Sequence, residues 1–308
     1  MMVVSRAKKH SCAWEYYVFK IADHTLAHAS RRIGYFITRF ITDIVYVTAP
    51  VSRAAIKDNV KHVLGPEVDD ATLERTMRTI LRNAGKNYYD LIRIPHLKLS
   101  DIESSIRVHS WTNLEDAMGN GKGVLLVTAH LGCFDVAAQI FPARSIKTTI
   151  MVEPLEPPSL LSYIVALRES QGITCIPAAP GALKNVVQTL RRGEVVIFAC
   201  DRDFAKDGVK IDFFGEETNM PTTAVRIAML TGSAIVPVFN IRQDDGHYDI
   251  YFEPAIDIVP AGGGAVAKNM ERITQVMEKY IRNYPEQWVV LKHIWTGEQQ
   301  LSTHPTNR

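Results

Sequence analysis

The sequence predicts an α/β protein: a mostly parallel, mixed sheet flanked by helices on both faces, preceded by an all-helical N-terminal layer. Three observations predict it. From about residue 106, short apolar runs rich in β-branched residues alternate with longer runs of helical spacing, as in a parallel sheet with crossover helices. Before that point the periodic stretches repeat apolar residues three and four apart, which is helical spacing. Finally, Gly123-Val-Leu-Leu-Val-Thr-Ala-His-Leu-Gly-Cys-Phe-Asp135 runs from a buried strand through a polar break into a helix. That places His130 where open α/β sheets gather their ligands.

The helical layer covers residues 1–105 and belongs to the same domain as the α/β core, residues 106–308. Ile33, Phe36, Ile37, Phe40, Ile41, Ile44 and Val45 keep helical spacing, and Pro50 ends that helix. A second helical pattern over residues 51–64 breaks at Gly65-Pro66. Asp69 or Asp70 then caps a long helix carrying Leu73, Met77, Ile80, Leu81, Ala84, Tyr88, Leu91 and Ile92, which stops at Pro95.

The stretch from Ile33 to Val47 is 15 residues long and contains Arg39 and Asp43. A bilayer span needs roughly 20 apolar residues, so a transmembrane helix is rejected. In residues 1–40, seven basic residues (Arg6, Lys8, Lys9, Lys20, Arg31, Arg32, Arg39) stand against Glu15 and Asp23. With Trp14, Tyr16, Tyr17 and Phe19 they suit a helix lying in a membrane interface. An ordinary amphipathic helix packed on its own domain has the same periodicity, and both readings stand. No apolar run directly follows the first basic residues, so no secretory signal is apparent.

In the core, Ile106 to His109 is a short strand and Leu114 to Met118 a helical turn. The Gly119-Asn-Gly-Lys-Gly123 connection leads into a strand, whereas a dinucleotide fingerprint opens a helix; a tight turn is the better reading. The strand Val124 to Thr128 follows, then a helix from about Phe134 to Phe141. Further strands fall at Thr148 to Val152, Ile173 to Ile176, Glu194 to Ala199, Ala234 to Phe239 and Tyr248 to Phe252. Helices fall at Leu160 to Ser170, Leu183 to Leu190, 222–231 and 265–283.

A net charge of +2 is too mild to argue for nucleic acid. Cys12, Cys133, Cys175 and Cys200 show no metal or CxxC spacing and read mostly as buried free thiols, which points toward a reducing, cytoplasmic setting. Asp135 falls in the first helical turn after His130. If the turn folds back, its carboxylate meets one imidazole nitrogen, and the other is left to take a proton from a substrate hydroxyl. A loop histidine satisfied by backbone is the plainer alternative.

Other blocks join this one. Met151-Val-Glu-Pro-Leu precedes Arg168-Glu-Ser-Gln-Gly, the strand from Val195 ends in Asp201-Arg-Asp203, and Phe213-Phe-Gly215 precedes Pro221-Thr-Thr-Ala-Val-Arg-Ile-Ala. Tyr284-Pro-Glu-Gln-Trp288 comes last. In this order, over roughly residues 15–296, the chain resembles the lipid A lauroyl/myristoyl acyltransferases and the phosphatidylinositol mannoside acyltransferases of the glycerophospholipid acyltransferase superfamily. It departs in having Asp135 where many lipid A enzymes have Glu, and Val289-Val-Leu-Lys-His-Ile-Trp295 in place of an aromatic and basic run. Asp-Arg-Asp tilts toward the mannoside branch.

The resemblance implies that His130 and Asp135 form a catalytic dyad and that the fold is that of the glycerophospholipid acyltransferases. It implies an O-acyltransferase that moves a fatty acyl group from acyl-CoA or acyl carrier protein to a hydroxyl of a glycolipid or phospholipid precursor. The setting it implies is peripheral, on the cytoplasmic face of the bacterial inner membrane, with no cofactor, no metal and no nucleic acid.

The substrate-binding candidates are Glu153, Arg168, Asp201, Arg202, Asp203, Phe214, Gly215 and Arg226. Arg168 and Arg202 would fork onto an acceptor phosphate, or else pair with Glu153, Glu169, Asp201 or Asp203. Phe213 and Phe214 also read as core, Gly215 as a backbone requirement, and Arg226 as a partner of Asp201 or Asp203. Backbone N–H groups near Gly132 and Cys133 are expected to face the oxyanion. A hydrolase using Cys133 and a non-catalytic lipid-binding protein remain as other classes; no Gly-x-Ser-x-Gly elbow is present.

Overall fold

The computed structural model describes residues 13–260 and 262–295; Arg6, Lys8, Lys9 and Cys12 lie outside the described residues. The strands, in chain order, are β1 (Ile106–His109), β2 (Val124–Thr128), β3 (Thr148–Val152), β4 (Thr174–Pro177) and β5 (Val195–Ala199), then β6 (Val209–Phe213), β7 (Glu216–Met220), β8 (Ala234–Arg242) and β9 (Tyr248–Phe252). Seven of them form one sheet in the order β1-β9-β8-β2-β5-β3-β4. β8 and β9 pair antiparallel and the other neighbours parallel. The sheet is therefore mixed and mostly parallel, as the alternation of strands and helices predicts.

β2 is the middle strand and all five of its side chains are buried. Leu125 and Val127 enter one core, Val124 and Leu126 the other. A strand covered on both faces has no wet side, which is why it reads as a continuous apolar run.

The N-terminal layer comprises α1 (Ala13–Leu26), α2 (Arg31–Thr48), α3 (Pro50–Leu64) and α4 (Asp70–Arg93). Ser30 caps α2 by accepting from the Ile33 N–H, and Asp69 caps α4 by accepting from the Thr72 N–H. Among the described residues no helix is long and apolar enough to cross a membrane. α2 packs with Gly34, Thr38, Thr42 and Tyr46 inward. A Cβ on Gly34 would come within 2.1 Å of the Tyr89 ring, so α2 approaches α4 as closely as a glycine permits. Its large apolar side chains face out: Phe36 is 75% exposed, Phe40 66% and Ile33 54%. A helix that packs its apolar stripe on its own domain shows the reverse arrangement, so that alternative is overturned.

The remaining helices are α5 (Leu99–Ser104), α6 (Thr112–Gly119), α7 (Phe134–Ala137), α8 (Ile140–Ala143), α9 (Pro158–Glu169), α10 (Ala182–Arg191), α11 (Thr223–Thr231) and α12 (Ala265–Asn283). Residues of α10, α11 and α12 cover one face of the sheet, and residues of α4, α6, α7 and α9 the other.

Two expectations fail locally. The single helix from Phe134 to Phe141 is split into α7 and α8. The Gln139 side chain donates to the Asp135 carbonyl at 3.2 Å, while its backbone N–H turns to Val136. That side chain takes over the carbonyl an unbroken helix would bond through the backbone. Second, Phe213-Phe-Gly215 belongs to a hairpin of β6 and β7 that the sequence reading left out. Phe214 (φ 57) and Gly215 (φ 83) form its two-residue turn, a conformation expected of Gly215 but costly for a phenylalanine.

Candidate active site

His130 lies two residues beyond β2, and Asp201 two residues beyond β5. The strands are parallel neighbours with Thr128 opposite Ala199, so both residues leave the same edge of the sheet side by side. His130 Nδ1 donates to Asp201 Oδ1 at 2.7 Å. The His130 backbone N–H and the Trp288 indole N–H both donate to Oδ2, each at 2.8 Å.

Asp201 is fully buried. Burial alone would push its carboxyl up, but the imidazole and these donors hold it down, to about 2. A carboxylate only accepts, so the imidazole proton sits on Nδ1 and the Nε2 lone pair is left over. Nε2 has no partner among the described residues.

The residue expected at the imidazole, Asp135, is turned away. Its carboxylate accepts from Arg168 Nε at 2.6 Å and Nη2 at 3.4 Å. Asp135 sits at the start of α7, whose direction carries it toward α9 rather than back over the strand end. This corrects the expected contact within the dyad: the carboxylate on His130 comes from the next strand, 71 positions along the chain. Asp135 reaches the imidazole only through others. Arg168 lies over the Phe134 ring, 5.9 Å from its centroid, and Phe134 meets His130 edge-on at 5.5 Å.

The turn after His130 is strapped by the C-terminal segment. Val289 N–H donates to the His130 carbonyl, Gly132 N–H donates to the Gln287 carbonyl, and Leu131 bridges Trp288. Gly132 has φ +64, and a Cβ there would lie 2.1 Å from the Asn240 carbonyl oxygen; only glycine fits. With its N–H spent on Gln287, Gly132 cannot also serve the oxyanion; Cys133 is left of the two expected donors, between the cleft-lining His130 and Phe134 but not itself among the lining residues.

A cleft of about 410 Å³ opens at this turn. Its lining joins His130, Glu153, Arg202 and Lys292 to Ala138, Phe141 and Ile164, among other apolar side chains. A more open hollow of about 780 Å³ between α2, α3 and α4 does not include His130, so the cleft at the His130 turn is the candidate site.

The other expected site residues divide. Arg202 and Glu153 face the cleft and form an ion pair with each other, with Lys292 beside Glu153 at 3.5 Å. Arg168 lines the cleft but is committed to Asp135, so the expected phosphate fork at Arg168 is not available. Asp203 accepts from the backbone of Lys206 and Gly208 and holds that loop. Arg226 is exposed and donates to Thr222, meeting neither Asp201 nor Asp203. Phe214 and Gly215 are absent from the cleft lining.

Burial, with Asp90 nearby, pushes the Cys133 thiol well up, which argues against a thiolate nucleophile. Among the described residues no group of three or more His, Cys, Asp or Glu could hold a metal ion.

From the sequence, Trp288 and Lys292 stand out only as members of C-terminal blocks, and Asn87 and Asn240 not at all. The one local signal for Asp201 was its place at a strand end like that of His130.

Comparison with known proteins bears on this arrangement. The model of the bacterial lipid A biosynthesis acyltransferase family matches residues 5–296. A phosphatidylinositol mannoside acyltransferase of Mycobacterium tuberculosis is 28% identical over 250 residues, covering 79% of this chain and 77% of that protein. The lipid A biosynthesis palmitoleoyltransferase of Escherichia coli is 24% identical over 192 residues, covering 59% and 61%. A lipid A biosynthesis acyltransferase of Haemophilus influenzae is 22% identical over 179 residues, covering 58% and 55%.

Proposed function

This chain belongs to the bacterial lipid A biosynthesis acyltransferase family and is an acyltransferase, and from that premise we propose how and where it acts. It transfers a fatty acyl group from a thioester, acyl-CoA or acyl carrier protein, to a hydroxyl of a glycolipid or phospholipid precursor. The observation that carries this reading is the fixed tautomer of His130, whose Nε2 has no partner among the described residues and stands beside a cleft with apolar walls.

Nε2 takes the proton of the acceptor hydroxyl as the oxygen attacks the thioester carbonyl. Asp201, ionised beneath, stabilises the imidazolium that forms. The backbone donor we assign to the oxyanion is the Cys133 N–H, in the turn between the cleft-lining His130 and Phe134. Collapse expels the thiolate, which takes the proton back from the imidazolium. Asp135 acts at one remove, through Arg168 and Phe134. The acyl chain lies along the apolar side chains of the cleft, and Arg202 and Lys292 receive the polar, anionic part of a substrate by exchanging for it the Glu153 carboxylate with which both pair. No metal or prosthetic group enters this scheme.

We place the chemistry at a membrane surface, on the cytoplasmic face of the bacterial inner membrane and without a span. The outward apolar face of α2, continued by Val47 and Val51, supports shallow insertion, and Arg32 and Arg39 in the same helix favour anionic headgroups.

The test is turnover by the purified protein on vesicles carrying a glycolipid acceptor, with labelled acyl-CoA and acyl carrier protein in parallel. An acylated lipid product with one donor is expected. A folded protein that turns over neither donor with phosphatidylinositol mannoside or lipid A precursors sinks the reading. Mass spectrometry of the lipids of a deletion strain then identifies the under-acylated acceptor.

A further inference from the structure

The turn that carries His130 is held from below by polar side chains that the proposed chemistry does not use. Asn87, on α4, donates from Nδ2 to the Gly132 carbonyl at 2.6 Å. Its Oδ1 accepts from Arg242 Nη2 at 2.8 Å. The same Nη2 donates to Asp90 Oδ2 at 2.7 Å, and that oxygen also accepts from the Tyr35 and Tyr248 hydroxyls. Asn87 and Asp90 are buried, as is the side chain of Arg242.

A guanidinium has donors only, so Arg242 dictates which way the Asn87 amide points: oxygen toward itself, NH2 toward the turn. Asp90 in turn fixes Arg242. The two peptides that flank the Gly132 Cα are thus both held, the Leu131–Gly132 unit through its N–H by Gln287 and the Gly132–Cys133 unit through its carbonyl by Asn87. Gly132 stands between His130 and Cys133.

We infer that Asn87 is a positioning residue for acyl transfer, holding the Gly132–Cys133 peptide so that the turn keeps His130 at the cleft in a fixed orientation; this rests on the acyl-transfer reading above. The buried Asp90–Arg242 pair sets the amide. It is a poor target for substitution itself, because removing one partner strands a buried charge.

The test substitutes the amide. Asn87→Asp keeps an oxygen for Arg242 but turns the group facing Gly132 from donor to acceptor. A small displacement of a reacting group costs up to about 100-fold, so kcat should fall about 10- to 100-fold. KM for the thioester should stay within about two-fold, because ground-state binding is not what the bond serves. Amide deuterium exchange should quicken in residues 130–136 and not in β2.

Tyr35→Phe removes one donor from Asp90 and leaves the Asn87 bonds in place; kcat should stay within about two-fold of wild type if the effect belongs to the amide. A folded Asn87→Asp with wild-type kcat and exchange overturns the inference. So does an equal loss in Tyr35→Phe, which would make the cluster merely structural. If Asn87→Asp does not fold, Asn87→Ala gives the same readouts without the reversed dipole. If the wild type transfers no acyl group the reaction reading fails, and exchange at residues 130–136 still decides the role of Asn87.

Discussion

Asp201→Asn separates the structure from the sequence motif. Two donors, the His130 backbone N–H and the Trp288 indole N–H, converge on Oδ2. In the asparagine variant that position must keep the oxygen, because an NH2 there would face two N–H groups. The amide NH2 is therefore forced onto the side that faces His130 Nδ1. Nδ1 must then accept, the ring proton moves to Nε2, and the base is lost. The same error of tautomer in a Ser-His-Asp triad costs about 10⁴ in kcat, so a fall of about 10³- to 10⁴-fold is expected, or about 4–5.5 kcal/mol of barrier. The variant should fold, since both donors to Oδ2 stay satisfied. The assay is the initial rate of thiol release from acyl-CoA with acceptor present, alongside thermal melting. A folded variant with turnover within ten-fold of wild type refutes the His130–Asp201 mechanism.

Four further outcomes are expected. Because Asp201 titrates at about 2 in place of 3.8, its charge favours the folded state above pH 4 by about 2 kcal/mol, and that contribution is lost as pH falls toward 2; Asp201→Asn should flatten the melting temperature of the protein across that window. Asp135→Asn leaves the buried Arg168 without its counter-charge and should cost about 3 kcal/mol of stability, read as a lower midpoint in urea, while activity well below the transition exceeds that of Asp201→Asn; the reverse ranking restores the original dyad. Phe36→Ser with Phe40→Ser removes two outward rings worth about 1 kcal/mol or more each at an interface, so binding to anionic vesicles should weaken at least ten-fold; sedimentation unchanged from wild type removes α2 from the membrane contact. Ala138→Leu narrows the apolar part of the cleft, and each methylene it displaces forfeits about 0.8 kcal/mol, about four-fold in kcat/KM; an unaltered chain-length profile across acyl-CoA donors takes the acyl chain out of that cleft.

How legible the site was depended on how far each contact reaches along the chain. His130 was readable because its signal is local: an apolar strand, a polar break and the start of a helix within thirteen residues. The family resemblance added the reaction class, and it singled out Asp135 because that residue is near in sequence. The outward face of α2 was half readable. Its periodicity is in the sequence, but which side met α4 was settled by Gly34 against the Tyr89 ring and Gly85 against Thr42. The break at Gln139 was missed because a side chain competing for one carbonyl leaves no periodic trace.

By itself the sequence determined the seven strands of the main sheet, most of the helices, their alternation and the place of His130 at a strand end, since these follow from short-range spacing and end signals. It also held both strand ends that meet at the site. Only the tertiary structure decided that β5 lies beside β2 with Thr128 opposite Ala199, and so that Asp201 rather than Asp135 reaches the imidazole. It also brought Trp288 under that carboxylate, and Asn87 with Arg242 under the turn. The reason is physical: sheet order and register are set by how two buried cores close over the sheet, and no spacing along the chain records which strand will be the neighbour.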